Sequence, residues 1–486
     1  MKILAIESST SAAKAMLFDT KTRKTSMQTK TFPRMYEDIT LHDPKVVFMT
    51  MLDVAKTVLC AESRVDIVSL GGTWHSFGLF DKKMHPLGPV MPWNCTMASE
   101  LCMKLRKDGK YVDDYYNITG CMVNAIYPFF KLKLVKDDVT DIHACYIGGQ
   151  GTFNNYRFTG RHIVTECEAS GSGFLDIRRL SYHPALLAES EIDESSLPEI
   201  VKSTSTYGLQ KEVADYLGIL PGTPVIPTNS DGGLNQIGTG AIEKGIMTFS
   251  VGTSAAIRLS VDKPILPANH SVWCYYSPKG WLSGAAISGA CNCIDWYRQL
   301  LSPLASWNYD RFELPYTSKA DIPIFLPFIF GERCPGWQDT ASGRLMDLKP
   351  NTSIYDLYIA IQEGILFNIY QCYSSLVRID SEPQLIKLSG GILHSSGWTQ
   401  MCADIFNRPI EVDRSMQGSL TGGVALSMDV LNMQEAKSEY VHQDGKIIYP
   451  IASRHELYMK HYGKYLEYYS ELANEENKES GCQNIL

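Results

Sequence analysis

Apolar residues in this chain fall in short runs broken by small polar turns. Lys2 to Ala5 opens a run that ends at Glu-Ser-Ser-Thr-Ser, and Ala15-Met16-Leu17-Phe18 follows up to Asp19. Strand, small polar turn, strand predicts a hairpin. The pattern returns further on: Gly245 to Val251 reads as a strand, Gly252-Thr253-Ser254 as a turn, and Ala255 to Ser260 as a second strand. Between and after these hairpins the period lengthens. Lys45 to Cys60 predicts a helix with Val46, Val47, Met49, Leu52, Val54 and Val58 on its apolar stripe. Lys211 to Leu217 and Ser353 to Leu376 also read as helices, as does Trp398 to Asn407. Val65 to Leu70 predicts a strand ending at Gly71-Gly72, Val225 to Pro227 one ending at Thr228-Asn229-Ser230-Asp231-Gly232-Gly233, and Gln384 to Leu388 one ending at Gly390-Gly391. Strands alternating with helices indicate an α/β architecture.

Both predicted hairpin turns carry the tetrapeptide Thr-Ser-Ala-Ala, at Thr10 to Ala13 and at Thr253 to Ala256, half a chain length apart. The same tetrapeptide in matching strand–turn–strand contexts reads as two copies of one fold. With 486 residues, two domains are expected. The boundaries predicted are 1–242 and 243–474, followed by a polar, Glu-rich tail at 475–486 that should fray.

Composition changes this picture little. The chain is 44% hydrophobic and 20% charged, ordinary for a globular protein. A formal charge of −8 argues against a nucleic-acid partner. Backbone N–H groups, local cations and a metal ion can still hold a phosphate. Nothing approaches the roughly 18 apolar residues of a membrane span, and the start of the chain does not read as a signal peptide. Thirteen scattered cysteines with no Cys-x-x-Cys pair predict free thiols and a cytoplasmic protein.

Asp231 is the first candidate for chemistry. A carboxylate just past a strand end, followed by two glycines, suits the base that takes a hydroxyl proton during phosphoryl transfer. The same residue could instead cap a helix starting near Leu234. Gly252-Thr253-Ser254 and Thr10-Ser11 could cradle phosphates or be plain turns. Gly390-Gly391 permits close approach of a ligand. Thr73, Trp74 and His75 could line a polyol pocket, or His75 could be structural. Gly331-Glu332-Arg333 reads as a turn with an internal ion pair. The chain has no Gly-x-x-x-x-Gly-Lys-Ser/Thr loop, no His-Glu-x-x-His and no Gly-x-Ser-x-Gly.

Together these segments resemble the FGGY family of carbohydrate kinases, nearly end to end. The first hairpin is similar to the family's Asp-x-Gly-Thr-Ser phosphate loop at Thr10, Ser11 and Lys14. Gly72 to Ser76 is similar to its sugar-site segment, Ser230-Asp231-Gly232 to the segment carrying the base, and Ser250 to Ser254 to the second phosphate loop. Gly331-Glu332-Arg333 with Pro335, and Gly390-Gly391 through Trp398, Gln400, Ala403 and Asp404, resemble its C-terminal motifs, the latter at the adenosine site. The flavour is that of the gluconate-kinase branch, close to xylulose kinases, through Gly252 to Arg258 and Cys274-Tyr275. Departures occur at Glu7 and Ser9, where the family has Asp and Gly. Cys95 and Met97 stand where it reads Trp-x-Asp-x-Arg.

The resemblance implies a two-domain actin-like, ribonuclease-H-like ATPase fold, each half a mixed five-stranded sheet flanked by helices, with nucleotide in the cleft between them. It implies ATP and Mg²⁺, with Asp231 as base and Glu7 and Asp231 placing the metal. Thr10, Ser11, Lys14, Gly252, Thr253 and Ser254 would hold phosphates, and Gly390 and Gly391 would flank adenosine. Trp74, His75, Asp231 and Arg258 would meet the substrate, a small sugar, sugar acid or polyol with gluconate favoured and xylulose the alternative. Arg258 suits a sugar-acid carboxylate, which a guanidinium grips in a bidentate fork, or it could be a strand-end arginine facing solvent. A catalytically silent sugar- and ATP-binding homologue is the rival reading. A membrane partner is not expected, and a homodimer is left open.

Overall fold

The computed structural model describes residues 1–60, 62, 64–301, 321–412, 417–441 and 445–479, with side chains through 472. The first of its two large sheets has six strands: Lys2–Ser8 (β1), Ala12–Asp19 (β2), Thr25–Thr31 (β3), Ile67–Gly72 (β4), Tyr207–Gly208 (β5) and Pro224–Ser230 (β6), in the order β5-β6-β4-β1-β2-β3. The second has seven: Ile246–Val251 (β7), Ala255–Val261 (β8), Trp273–Ser277 (β9), Gly280–Ile287 (β10), Leu385–Gly390 (β11), Ile410–Val412 (β12) and Lys446–Ile448 (β13), in the order β9-β10-β8-β7-β11-β12-β13.

Five strands of each sheet share one plan. In β3-β2-β1-β4-β6 and in β10-β8-β7-β11-β12 the two pairings on one side of the central strand are antiparallel and the two on the other side are parallel. The five-stranded expectation describes this shared part. The edge strands β5, β9 and β13 extend it, and two- or three-residue pieces such as β5 and β13 are too short to show an alternation. The central strands are buried on both faces: every residue of β1 after Lys2 is buried, as a strand covered by helices on both sides requires.

The two hairpins that carry Thr-Ser-Ala-Ala differ in register by one residue. Ser8 pairs with Ala13, and Ser9 N–H donates to Ala12 O at 2.9 Å. In the second half Val251 pairs with Ala255, and Gly252 N–H donates to Ser254 O at 2.9 Å. The second loop is one residue tighter.

Helices pack on both sheets. Pro44–Leu59 (α1) starts at Asp43, whose carboxylate accepts from the N–H groups of Lys45 and Val46. Its buried stripe runs through Val47, Phe48, Met51, Leu52 and Val54, whereas Met49, expected on that stripe, is 42% exposed. Asp231–Gly238 (α2) begins three residues before Leu234, with Ser230 as its cap. Ile354–Leu376 (α3) carries a Ser353/Asp356 capping box, and Ser396–Phe406 (α4) is capped by Ser395. Gly418–Val430 (α5) crosses α2 and lies on β1 and β4 of the first sheet, although its sequence comes from the second half. A Cβ on Gly422 would overlap the carbonyl of Leu234, and one on Gly238 would overlap the carbonyl of Gly418. The two helix backbones therefore touch. Around this crossing Leu420, Val424 and Leu426 pack with Ile3, Ile226, Leu234 and Ile237. Ala452–Glu479 (α6) runs into the expected tail, so 475–479 are helical backbone; 480–486 lie outside the described residues.

The halves interlock elsewhere too. Cys274 N–H donates to Gly120 O at 2.9 Å, Tyr127 and Tyr275 share a hydroxyl hydrogen bond at 2.7 Å, and Arg106 pairs with Asp339. Among the described residues no helix is long and apolar enough to cross a membrane, and the described cysteines are free thiols.

Candidate active site

Asp231 is the first residue of α2, not its cap. Ser230 Oγ accepts from Gly233 N–H at 3.0 Å, so the capping position is filled one residue earlier. The Asp231 carboxylate is left free of the cap and accepts from the N–H of Gly232 at 2.6 Å. It keeps some surface open, yet protein surrounds it. That burial pushes its carboxyl from 3.8 up to about 6; the nearby charge of Glu7 raises it further, while Arg258, the Gly232 N–H and Lys14 pull it back. Glu7 and Lys14 belong to the first hairpin and Arg258 to β8 of the second sheet. Asp231 therefore stands where the two halves meet.

Glu7 is buried at the end of β1. Its carboxylate accepts from Lys14 Nζ at 3.3 Å and from the hydroxyl of Ser419, the second residue of α5. Thr10 and Ser11 lie beyond it in the turn of the hairpin, where the Thr10 hydroxyl accepts from the Trp93 indole N–H at 2.8 Å. In the second hairpin Thr253 is exposed and Gly252 and Ser254 are half-buried. The carbonyls of Gly252 and Thr253 accept from the N–H groups of Cys291 and Asn292, at 2.9 and 3.3 Å, which seats this loop on the start of the helix Cys291–Leu301. Gly390 ends β11 with φ +95°, and a Cβ there would overlap Val251 O, so the strand end beside the hairpin needs glycine. Gly390 is exposed and Gly391 half-buried. The residues beyond them turn inward. Trp398 donates its indole N–H to Gln362 O, and Asp404, with no exposed surface, accepts from Gln400 Nε2 and Ile451 N–H. These tie α4 to the start of α6.

Trp74 and His75 form an aromatic wall with residues of both halves. Trp74 lies 4.9 Å from Tyr275, which stacks on Trp273 at 4.2 Å, and His75 lies 5.0 Å from Tyr127. The Trp74 indole N–H donates to Cys167 O at 2.7 Å. A Cβ on Gly232 would sit 2.6 Å from Trp74 Cζ3 and 3.1 Å from Arg258 Nε, so ring and guanidinium converge beside Asp231. Burial pushes the His75 imidazole down to about 3, leaving it neutral. Its Nδ1 donates to Gly171 O at 2.7 Å, which leaves Nε2 as an acceptor.

Arg258 is not a solvent-facing strand end. Its Nη1 donates to Ser250 Oγ at 3.3 Å, and its Nε is sealed from solvent with no partner. Arg333 was expected to pair internally with Glu332. The Glu332 carboxylate accepts from Tyr469 OH at 2.8 Å and Gly336 N–H at 3.3 Å. The Arg333 guanidinium sits 5.5 Å over the ring of Trp93, its Nε sealed without a partner, and its charge acts on His75 and Arg258. Of the two departures in the segment after Trp93, Cys95 is fully buried and Met97 is 52% exposed.

Trp93, Ser419 and Glu168 join these residues without having been candidates from the sequence, and Arg333 joins them in a different role from the ion pair the sequence suggests. Glu168 has a carboxyl pushed well above its ordinary value by burial and by the charge of Asp231. Trp93 carried a signal, lying two residues before Cys95 in a recognised segment. Ser419 carried none, because its contact with Glu7 joins opposite ends of the chain. Among the described residues no cluster of three or more His, Cys, Asp or Glu side chains is suited to a metal ion. Glu7 and Asp231 are a pair, which suits Mg²⁺, a cation commonly held by one or two carboxylates with phosphate and water completing the shell.

The description of the FGGY family of carbohydrate kinases matches the chain in two parts, its N-terminal domain over residues 2–238 and its C-terminal domain over 247–428. A gluconokinase of Bacillus subtilis (strain 168) is 24% identical over 447 residues, covering 88% of this chain and 87% of its own length. A xylulose kinase of Haemophilus influenzae is 27% identical over 425 residues, covering 83% and 84%. Among solved structures, a gluconate kinase and a ligand-bound xylulose kinase, both from Lactobacillus acidophilus, superpose with a TM-score of 0.91 at 26% identity. They cover 97% of this chain and 99% and 98% of their own. The architecture is the two-domain actin-like ATPase fold of those kinases.

Proposed function

The chain belongs to the FGGY family of carbohydrate kinases, and from that premise we propose that it moves the γ-phosphoryl group of ATP to a hydroxyl of a sugar acid, gluconate before other acceptors, with Asp231 as the base. The observation that carries the role of Asp231 is its place: freed from capping by Ser230, with a carboxyl raised to about 6, between Glu7 of one half and Arg258 of the other. At neutral pH it is ionised yet basic enough to take a proton. The acceptor's O–H bond breaks as its oxygen bonds to phosphorus, the proton passes to Asp231, and the bond from phosphorus to the bridging oxygen of ADP breaks.

Thr10, Ser11 and Lys14 on one side, and Gly252, Thr253 and Ser254 on the other, would hold the phosphates through N–H groups, hydroxyls and one ammonium. Gly390 and Gly391 would lie against the adenosine. Mg²⁺ carried in with ATP would be held by Glu7 and Asp231 and would offset the negative charge of the phosphates. Trp74 and His75 would line the acceptor pocket, His75 Nε2 accepting from a sugar hydroxyl. Free thiols support the cytoplasm as the compartment.

What favours a sugar acid is the pair of guanidiniums on the acceptor side. Arg258 and Arg333 both have an Nε without a partner, and a carboxylate accepts readily from such donors. A ketose acceptor is the second reading, supported by the similarity to xylulose kinases. A coupled ADP-release screen over gluconate, xylulose, ribulose and glycerol separates them. The expected result is the highest kcat/KM for gluconate. Preference for xylulose would move the reading to the ketose, and ATP binding without ADP release on any acceptor would move it to a silent homologue.

A further inference from the structure

Lys131 lies on the helix Pro128–Val135 and has no exposed surface. An ammonium taken out of water is strongly destabilising unless its N–H groups are all met. Here they are met by main-chain carbonyls alone. Nζ donates to His75 O at 3.1 Å, Met91 O at 3.2 Å and Pro92 O at 2.6 Å. Three donors face three acceptors.

These carbonyls belong to two separate segments. Met91 and Phe77 pair as an isolated antiparallel bridge, with N–H to O distances of 2.7 and 2.9 Å. Beyond it the segments lead in different directions. One passes back through His75, in the left-handed region at φ +70°, a conformation rare for a residue with a side chain. The other passes forward through Pro92 to Trp93, which holds Thr10 and lies under Arg333. Lys131 joins them past the end of the bridge, grasping the carbonyl of the strained residue itself.

We propose that Lys131 is a positioning residue for the phosphoryl acceptor, locking the left-handed His75 to the 91–92 segment so that the imidazole stands fixed in the acceptor pocket. This rests on the reading above that Trp74 and His75 line that pocket. The lock depends on charge. Burial pushes Lys131 down to about 7, and among the described residues the titratable neighbour acting on it is the buried thiol of Cys95, which raises it. The His75 imidazole, itself under the charges of Lys131 and Arg333, stays neutral throughout the range concerned. Loss of a proton leaves Lys131 with two N–H groups for three carbonyls. One carbonyl is released, and acceptor binding weakens as pH rises through about 7.

The test is steady-state kinetics between about pH 6 and about pH 9 on the wild type, Lys131→Met and Lys131→Gln, with gluconate or the best acceptor of the screen above. In the wild type the acceptor KM should climb toward about tenfold per pH unit above about 7, with the ATP KM changed less than about twofold. Lys131→Met and Lys131→Gln should have an acceptor KM about tenfold higher already at low pH, an unchanged ATP KM, and no climb. A flat wild-type acceptor KM overturns the proposal without any variant, so a variant that fails to fold does not shield it. A climb that persists in either variant, or an equal rise in both KM values, also overturns it. An active wild type with a flat dependence sinks Lys131 alone; a wild type inactive on every acceptor sinks the reading of function and this proposal with it.

Discussion

Asp231 has four neighbours of differing chemistry, Glu7, Arg258, Lys14 and the Gly232 N–H, and their balance with burial sets its ionisation. Burial and the charge of Glu7 raise its carboxyl, while Arg258, the Gly232 N–H and Lys14 lower it, leaving it at about 6 instead of 3.8. A base acts only when ionised. With the acceptor saturating, kcat/KM for MgATP, which reports the enzyme before nucleotide and metal arrive, should therefore fall below about pH 6, approaching tenfold per unit, and level off above it. An acid limb at the ordinary carboxylate value, near 4, would mean that Asp231 is not the group titrating. Replacing Glu7 by Gln removes the like charge, and the limb should then move to lower pH. The capping alternative could not be settled from the sequence, because Ser230 and Asp231 are adjacent and both residue types cap helices. Only the position of the helix start separates them.

The crossing of α2 and α5 gives Asp231 its footing. α2 carries Asp231 at its first position, and α5 carries Ser419, which holds Glu7. Their backbones touch at Gly238, Gly418 and Gly422. Gly422→Ala would drive a methyl group into the Leu234 carbonyl and should cost about 3 kcal/mol, at the upper end of overpacking effects. Gly463→Ala should do the opposite. Gly463 lies exposed inside α6 with nothing within 4 Å of an added Cβ, so the change should stabilise by about 1 kcal/mol. Denaturant midpoints read both; similar shifts for the two would show that the crossing is not tight. Elements with strong local signals were legible in advance. The repeated hairpins, the helix Lys211–Leu217, and α3 with its Ser353 cap all stand where periodicity placed them. The one-residue difference between hairpin loops was not legible, since the shared tetrapeptide is the same in both and register is fixed by pairing across the sheet. Nor was the α2–α5 crossing, whose partners are far apart in sequence. Met49 shows the limit within one helix: an apolar residue counted on the stripe faces solvent, and Phe48 takes the buried position.

At the scale of the whole molecule, two copies of a five-stranded plan bring residues of both hairpins to Asp231, with the aromatic wall beside it contributed jointly. Trp74, His75 and Tyr127 come from the first half, Trp273, Tyr275 and Arg258 from the second. Candidates on strand ends and turns, Asp231, Thr10 and Gly252 to Ser254, could be singled out because strand-to-turn transitions are visible locally. Those that join distant parts of the chain could not. In the sequence Arg333 has the look of half an ion pair, whereas its guanidinium lies over Trp93, and nothing local marks Lys131, whose carbonyl partners His75, Met91 and Pro92 are far from it in sequence. In the function proposed, a base at the junction of the two halves is separable from nucleotide binding, which would depend on both hairpins and on β11. The most direct test is Asp231→Asn, assayed by acceptor-dependent ADP release with gluconate and, in parallel, by ATP affinity in a direct binding measurement. Turnover reduced by about a thousandfold or more, with ATP affinity within about twofold of wild type, is the expected result. A variant that keeps most of its turnover would contradict the assignment of Asp231 as the base.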